Sequence, residues 1–239
     1  MLRLMLIPAA LLCLQGCARE GPPAAPRATA IKQSTPSLRF LHSYPAQAAA
    51  IPGLAALLRK EGLERLAEAR LDSKVVSFPP RNGPDEVEQV WEVSADTADL
   101  LALSSTASTY QDGAAHGYFS YHTLIWGRSA GRPLKLSELF SDRSGVAMLL
   151  EALCAKLISE RETRWRERGN GRPGPMACPK ADETDIAPVA PRGGRIRSFL
   201  MRLTGDETPD GYAGGSYEIE APATAALVAL VKPDLRGSF

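Results

Sequence analysis

The chain contains few of the residues that usually carry catalysis or bind metals. Its 239 residues include three histidines and four cysteines, which limits any metal site or histidine-dependent triad. The glycine-rich stretch 169–174 follows a predicted helix rather than a strand, so a nucleotide-phosphate loop is not indicated. Gly214–Tyr217 precedes a predicted strand, the wrong context for a serine nucleophile. The sequence predicts no metal, no cofactor and no catalytic residue.

A strong charge of one sign is also absent. The 28 basic and 27 acidic residues are interspersed and leave a formal net charge of +1. The chain therefore lacks the basic surface typical of nucleic-acid-binding proteins, and we expect no nucleic-acid partner. Hydrophobic residues make up 44% of the chain, enough to bury a core as one large domain or two small ones.

Long hydrophobic runs are limited to the amino terminus. Arg3 is followed by an apolar run from Leu4 to Leu14, which is typical of a secretory signal peptide and too short to span a membrane as a mature helix. No second run approaches about 18 apolar residues. We predict a signal peptide over residues 1–16. Residues 17–36, which are rich in glycine, proline and alanine, are predicted to form a flexible tether.

The end of the signal, Leu14–Cys17, resembles the lipobox of bacterial lipoproteins. The resemblance implies that Cys17 is diacylated, that cleavage precedes it and that it becomes the first residue of a lipid-anchored protein. Two or more acyl chains hold a protein on a bilayer without help from the polypeptide. Ala18 in place of Asp implies sorting to the outer membrane, facing the periplasm. Cleavage nearer Ala18 by the ordinary signal peptidase is the alternative.

The remaining cysteines suggest one disulfide. Cys13 lies in the predicted signal and Cys17 carries the lipid, which leaves Cys154 and Cys178 as the two thiols of a secreted domain. Two leftover cysteines outside the cytoplasm favour a disulfide, and two unrelated thiols are the alternative. Closing a loop of about 25 residues would stabilise the fold by roughly 3 kcal/mol.

Hydrophobic periodicity predicts an α+β fold of mixed, mostly antiparallel sheets with one long amphipathic helix and two or three shorter helices. Helices are predicted over 53–70, 143–168 and 224–231. Strands are predicted over 87–94, 100–110, 118–126, 186–189, 196–203 and 216–221, with Val75–Phe78 at best an edge strand. Turn residues between the three middle strands favour consecutive antiparallel pairing.

Two sets of titratable side chains are candidates for chemistry. His116 and His122 would stand about 20 Å apart on an extended strand and could not share an ion. Two groups of glutamates each share a strand face and could do acid–base work on a glycan, although solvated strand faces produce the same pattern far more often. These groups are Glu86, Glu88 and Glu92, and Glu218 and Glu220.

Three segments together resemble one family. Tyr110–Gly117 is similar to a Tyr-x-x-Gly-Gly-Ala-His signature, with Ala114 at its second glycine. Gly131–Phe140 is similar to its Gly-Lys-x-Leu-x-Leu-x-Asp-Leu-Phe continuation, and Gly211–Ile219 to its terminal Gly-Pro-Tyr-Ala-x-Gly segment. The family is the extracytoplasmic domain of unknown function shared by the anti-sigma factor RsiV and the non-catalytic part of the peptidoglycan deacetylase PdaC.

This resemblance implies a domain organisation and a function. It places the N-terminal part of the RsiV/PdaC-like region at 37–110 and a C-terminal RsiV-like domain at 111–239. His116, between small residues, is a candidate ligand contact, with a hydrogen-bonding structural histidine as the alternative. The implied protein is a non-enzymatic, lipid-anchored binding or accessory protein of the periplasm, which contacts the membrane through its lipid.

Its ligand would be a lysozyme, which the RsiV module binds, or peptidoglycan. Three alternatives to this general binding role stay open. The first is a protein that binds lysozyme specifically. The second is a cell-wall hydrolase that uses a carboxylate pair, and the third is a structural component of the envelope.

Overall fold

The computed structural model describes residues 28–74, 83–169, 178–181, 184–191, 194–204 and 215–239. It contains two sheets and four α-helices in these ranges. The strands are β1 (Thr29–Ser34), β2 (Leu38–Tyr44), β3 (Asp85–Asp96), β4 (Leu100–Tyr110), β5 (Tyr118–Gly127), β6 (Arg132–Leu134), β7 (Asp185–Val189), β8 (Ser198–Leu203) and β9 (Tyr217–Pro222). The helices are α1 (Ala46–Ala49), α2 (Pro52–Asp72), α3 (Arg143–Glu167) and α4 (Ala225–Ala229), with 3₁₀ turns at Leu136–Leu139 and Arg236–Ser238.

The first six strands form one sheet in sequence order. Neighbouring strands pair antiparallel except β2 and β3, which run parallel and are connected through α1 and α2. A parallel pair requires such a crossover, since a short turn can join only antiparallel strands. The predicted α+β class and the antiparallel pairing of the middle strands are confirmed, whereas the parallel pair was not predicted.

Helix α2 covers one face of this sheet. Leu54 and Leu58 pack in one cluster with Trp91 and Leu103. Leu66 packs in a second cluster with Leu38 and Phe40. The helix approaches the sheet closely at Gly62, where an added Cβ would lie 2.5 Å from the ring of His42. The helix predicted over 53–70 is confirmed, and Gly62, a poor helix former in its middle, allows the close approach to the sheet.

The second sheet, β7–β8–β9, and α3 enclose the other main core. The apolar stripe of α3 includes Leu149, Leu153 and Leu157, which are buried with residues such as Phe199 and Tyr217. This core continues onto one end of the first sheet, on the face opposite α2, through residues that include Ala102 and Ile125. The predicted long helix and the three predicted C-terminal strands are confirmed within one or two residues.

The predicted disulfide is present between Cys154 and Cys178, with the Cα atoms 5.7 Å apart. Cys154 lies on the buried stripe of α3. The bond therefore joins this helix to residues immediately preceding the second sheet.

One prediction about the amino-terminal region is wrong. Residues 29–34, which lie in the predicted flexible tether, form β1 and pair with β2 along their whole length. Strand β2 supplies the backbone hydrogen bonds, and Ile31 packs against the cluster beneath α2, which together outweigh the weak local signal. The rest of the proposed tether, the signal peptide, Cys17 and Val75–Phe78 lie outside the described residues.

Two other features bear on domain organisation and the membrane. The boundary predicted at 110/111 falls in the connection between β4 and β5, which are adjacent strands of one sheet.

Among the described helices, none combines the length and the apolar character needed to cross a membrane.

Candidate functional site

The face of the six-stranded sheet opposite α2 is exposed beyond the end that the second sheet covers. We call this region the open face. It carries carboxylates from β3, hydroxyls and a ring from β4 and two rings from β5: Glu86, Glu88, Glu92, Thr106, Ser108, Tyr110, Phe119 and Tyr121. Because side chains alternate along a strand, the intervening residues of β3, such as Gln89 and Trp91, point to the α2 side and are buried. The open face thus combines acidic, hydroxyl and aromatic groups on a rigid support.

The aromatic part of the open face lies on β4 and β5. Phe119 and Tyr121 make an edge-to-face contact with ring centroids 5.7 Å apart, and Phe119 and Tyr110 are 41% and 37% exposed. The guanidinium of Arg202, on β8, lies 5.4 Å from the Tyr121 ring and pairs with Glu218 at 3.1 Å. Exposed rings on a sheet offer apolar contact area that costs little conformational entropy on binding.

The five glutamates singled out in the sequence are all exposed. Glu86 pairs with Arg39 at 2.8 Å, and Glu218 pairs with Arg202. Glu88 and Glu92 lie on the open face with Glu86, while the Glu218–Glu220 pair lies on a different sheet. Such exposure is typical of solvated strand faces, on which carboxylates can accept hydrogen bonds from a ligand.

His116 lies in the connection between β4 and β5, after Gly113, which adopts a positive φ of 87°. Its ring is exposed and makes an edge-to-face contact with Tyr118 at 5.5 Å. Tyr118 projects from β5 on the side opposite Phe119 and Tyr121, so this contact does not bring His116 together with the open face. Its proposed ligand contact stays a prediction.

A cavity of about 410 Å³ lies beside β5, where β6 ends. Its walls include the apolar side chains of Ile125, Leu134 and Ile186, together with Lys135. Asp185, at the start of β7, accepts a 2.7 Å hydrogen bond from the backbone N–H of Thr123. This contact joins residues 62 apart in the chain, and no local sequence pattern indicates it.

A polar network is buried on the opposite face, beneath α2. His42 is completely buried, and its Nδ1 donates to Gln89 Oε1 at 3.2 Å. The Gln89 amide in turn donates to Glu61 and Ser105 at 3.1 and 3.2 Å. Burial is the main reason that the pKa of His42 is lowered, and the nearby charge of Arg65 lowers it further, against the opposing effect of Glu61. This histidine is part of the core and is not accessible to a ligand.

The sequence also contains one pattern of the kind found at serine nucleophiles. Gly127–Gly131 has the spacing G-x-S-x-G, with Ser129 at its centre. The structure places it in the exposed turn between β5 and β6, whereas a nucleophile elbow requires a strand that leads into a helix. Among the described residues, no group of three histidine, cysteine, aspartate or glutamate side chains could hold a metal ion.

Comparisons with known proteins bear on the fold. No family model matches the chain, and the curated proteins include no match. A crystal structure of a DUF3298 family member from Bacteroides fragilis is 17% identical and has a TM-score of 0.52, covering 90% of this chain and 97% of that one. A second, from Pseudomonas aeruginosa PAO1, is 13% identical with a TM-score of 0.56, covering 88% and 96%. The chain has the fold of DUF3298 proteins. At these identities the similarity concerns the fold alone.

Proposed function

We propose that this protein is a non-catalytic, lipid-anchored binding protein of the bacterial cell envelope, and that its open face binds the glycan strands of peptidoglycan. The observation that carries the proposal is the open face itself, where exposed rings, hydroxyls and carboxylates share one side of the sheet. The DUF3298 fold and the resemblance of three motifs to the RsiV/PdaC domain support an extracytoplasmic role.

The chemistry of the open face suits a carbohydrate. Sugar rings present apolar C–H faces that pack on aromatic side chains, here Phe119, Tyr121 and Tyr110. Their hydroxyls donate to carboxylates such as Glu88 and exchange hydrogen bonds with Thr106. A neutral sugar also needs no strongly charged site, in agreement with the near-zero net charge of the chain.

The aromatic contribution can be tested by matched substitutions on β5. Phe119→Ser removes a ring from the open face, whereas Tyr118→Ser removes a more exposed ring from the opposite face of the same strand. We expect Phe119→Ser to weaken co-sedimentation of the purified protein with peptidoglycan sacculi by about tenfold or more, since a buried ring at an interface contributes roughly 2 kcal/mol. The control, Tyr118→Ser, should bind like the parent.

The same assay separates this function from its rivals. If neither variant loses binding, or if the parent shows no saturable binding, the proposal is contradicted. Release of soluble muropeptides during the incubation would instead identify a hydrolase. Binding to lysozyme but not to sacculi would support a lysozyme-binding protein, a role that the acidic row Glu86, Glu88 and Glu92 favours because lysozymes are basic.

Lipid anchoring is supported by the apolar leader and by Cys17 at the end of the lipobox-like sequence. We expect Cys17→Ser to move the protein from the membrane fraction to the soluble fraction, because its acyl chains supply the anchor. Mass spectrometry of the mature parent should show a diacylated or triacylated Cys17. An unmodified amino terminus near Ala18 would show processing by the ordinary signal peptidase.

A further inference from the structure

The open face extends beyond its glutamates onto β2 and β1. Exposure alternates along β1, where Lys32 is exposed and Ile31 packs beneath α2, so Lys32 lies on the open face. Strand pairing places Lys32 beside Leu41 on β2, and Leu41 beside Glu88 on β3. The same row continues through β4 to Phe119 on β5. A cation, an apolar residue, a carboxylate and a ring therefore share one row across the sheet.

A cavity of about 380 Å³ lies at the cationic end of this row, and we call it the β1–β3 pocket. Its walls include Lys32, Leu41, Glu88, Arg39 and Glu86. Among the described residues that line it, no others are charged. Two cations and two carboxylates leave the pocket neutral overall, so neither a simple anion nor a simple cation matches it. A ligand that carries both charges is favoured instead.

The four charges of the pocket are not equivalent. Arg39 and Glu86 bind each other at 2.8 Å. Lys32 and Glu88 form no ion pair or hydrogen bond within the described part of the chain. They lie two strand spacings apart, roughly 10 Å, with Leu41 between them. In the described ranges the pocket therefore offers one unpaired charge of each sign, on the two sides of an apolar residue.

This arrangement is complementary to a free amino-acid group, whose ammonium and carboxylate are attached to one carbon. The ammonium would donate to the Glu88 carboxylate. The carboxylate would accept from the Lys32 ammonium, which is carried on a flexible four-carbon side chain. The apolar part of the ligand would pack on Leu41. Because a carboxylate accepts several hydrogen bonds, Glu88 can serve a sugar hydroxyl and this ammonium together.

The glycan strands of peptidoglycan carry short stem peptides that contain such a group, at the free end of their diamino acid. A sugar packed on Tyr110 would lie over β4, and the middle of the pocket lies over β2. These positions are two strand spacings apart, again roughly 10 Å. Three extended residues span at most about 10 Å. A stem peptide attached to the bound glycan therefore reaches the pocket with its third residue.

We propose that the β1–β3 pocket binds the free amino-acid end of the diamino acid in a peptidoglycan stem peptide, with the ammonium on Glu88 and the carboxylate on Lys32. This inference rests on the proposed binding of glycan strands at the open face, and it extends that binding to the attached peptide. Recognition of the two charges would distinguish peptidoglycan from glycans that carry no peptide.

Isothermal titration of the purified protein with a soluble disaccharide–tripeptide tests both charges. The three probes are the fragment itself, the fragment acetylated on its free amine, and the fragment amidated on the carboxylate beside that amine. We expect each modification to weaken binding about fivefold, the upper range for one solvent-accessible ion pair. Acetylation should lose its effect in Glu88→Gln, and amidation should lose its effect in Lys32→Gln.

The matched controls are Glu64→Gln and Lys60→Gln, which alter an exposed ion pair on the outer surface of α2. Both controls should respond to acetylation and to amidation as the parent does. Unchanged thermal unfolding of all four variants shows that they remain folded.

The disaccharide without its peptide separates this inference from the proposed function. If the disaccharide binds and the three fragments bind equally, the inference is overturned and glycan binding stands. An acetylation effect that persists in Glu88→Gln, or an amidation effect that persists in Lys32→Gln, also overturns the inference. If the fragment binds with both charge effects but the disaccharide does not bind, the pocket is supported and glycan binding is overturned. Absence of binding by every probe overturns both.

Discussion

The two faces of the six-stranded sheet are formed by the same strands but have opposite character. Along β3, Gln89 and Trp91 are buried beneath α2, while Glu88 and Glu92, on either side of them in the sequence, are exposed. On the covered face His42, Gln89 and Ser105 form a buried hydrogen-bonded network, whereas the glutamates of the open face are exposed. The comparison shows that a two-residue period can specify a core and a ligand surface at once.

The largest expected difference between the faces is in stability. Trp91→Ala removes a large side chain that is 5% exposed and should lower the free energy of unfolding by about 3–5 kcal/mol. Glu92→Ala, at the next residue but on the open face, should change it by less than about 0.5 kcal/mol. Urea unfolding of the two variants measures both values. Similar losses would mean that the open face is packed against something and is not a free surface.

A smaller effect concerns protonation of His42, on the covered face. His42 has a folded-state pKa below its unfolded value of 6.5, so the unfolded chain binds the extra proton more readily. Stability should therefore fall as the pH drops below about 6.5, by up to about 1.4 kcal/mol per pH unit until the lowered pKa is passed.

Urea unfolding at pH 7.5 and 5.5 tests this expectation for His42. The parent should lose more stability on acidification than His42→Gln, which lacks the titrating group. His116 and His122 remain in both proteins and serve as an internal control. Equal losses in the two proteins would show that His42 does not account for the acid sensitivity.

Sequence analysis captured elements whose local pattern matches their final environment. The alternation of β3 and the apolar stripes of α2 and α3 each reflect one buried face. The pairing of Cys154 with Cys178 follows from the predicted signal peptide and from the small number of cysteines. Strand β1 was missed because its stability comes from pairing with β2 rather than from its own sequence.

The candidate site was less accessible to such analysis. The sequence shows the glutamates of β3 and the aromatic residues of β5 separately. That they share one face depends on the register between the strands. The cavity is lined by Thr123 and Asp185, which are 62 residues apart in the chain and joined by a hydrogen bond. These are tertiary relations, which periodicity along a single strand does not encode.

The most direct test of glycan binding at the open face is methyl NMR spectroscopy during titration with soluble disaccharide-peptide fragments of peptidoglycan. Val90 and Thr106 carry their methyl groups on the open face, whereas Val87 and Leu103 lie on the α2 side of the same two strands. We predict saturable shifts for the first pair and little change for the second. Shifts of equal size on both faces, or no shifts at all, would contradict the account.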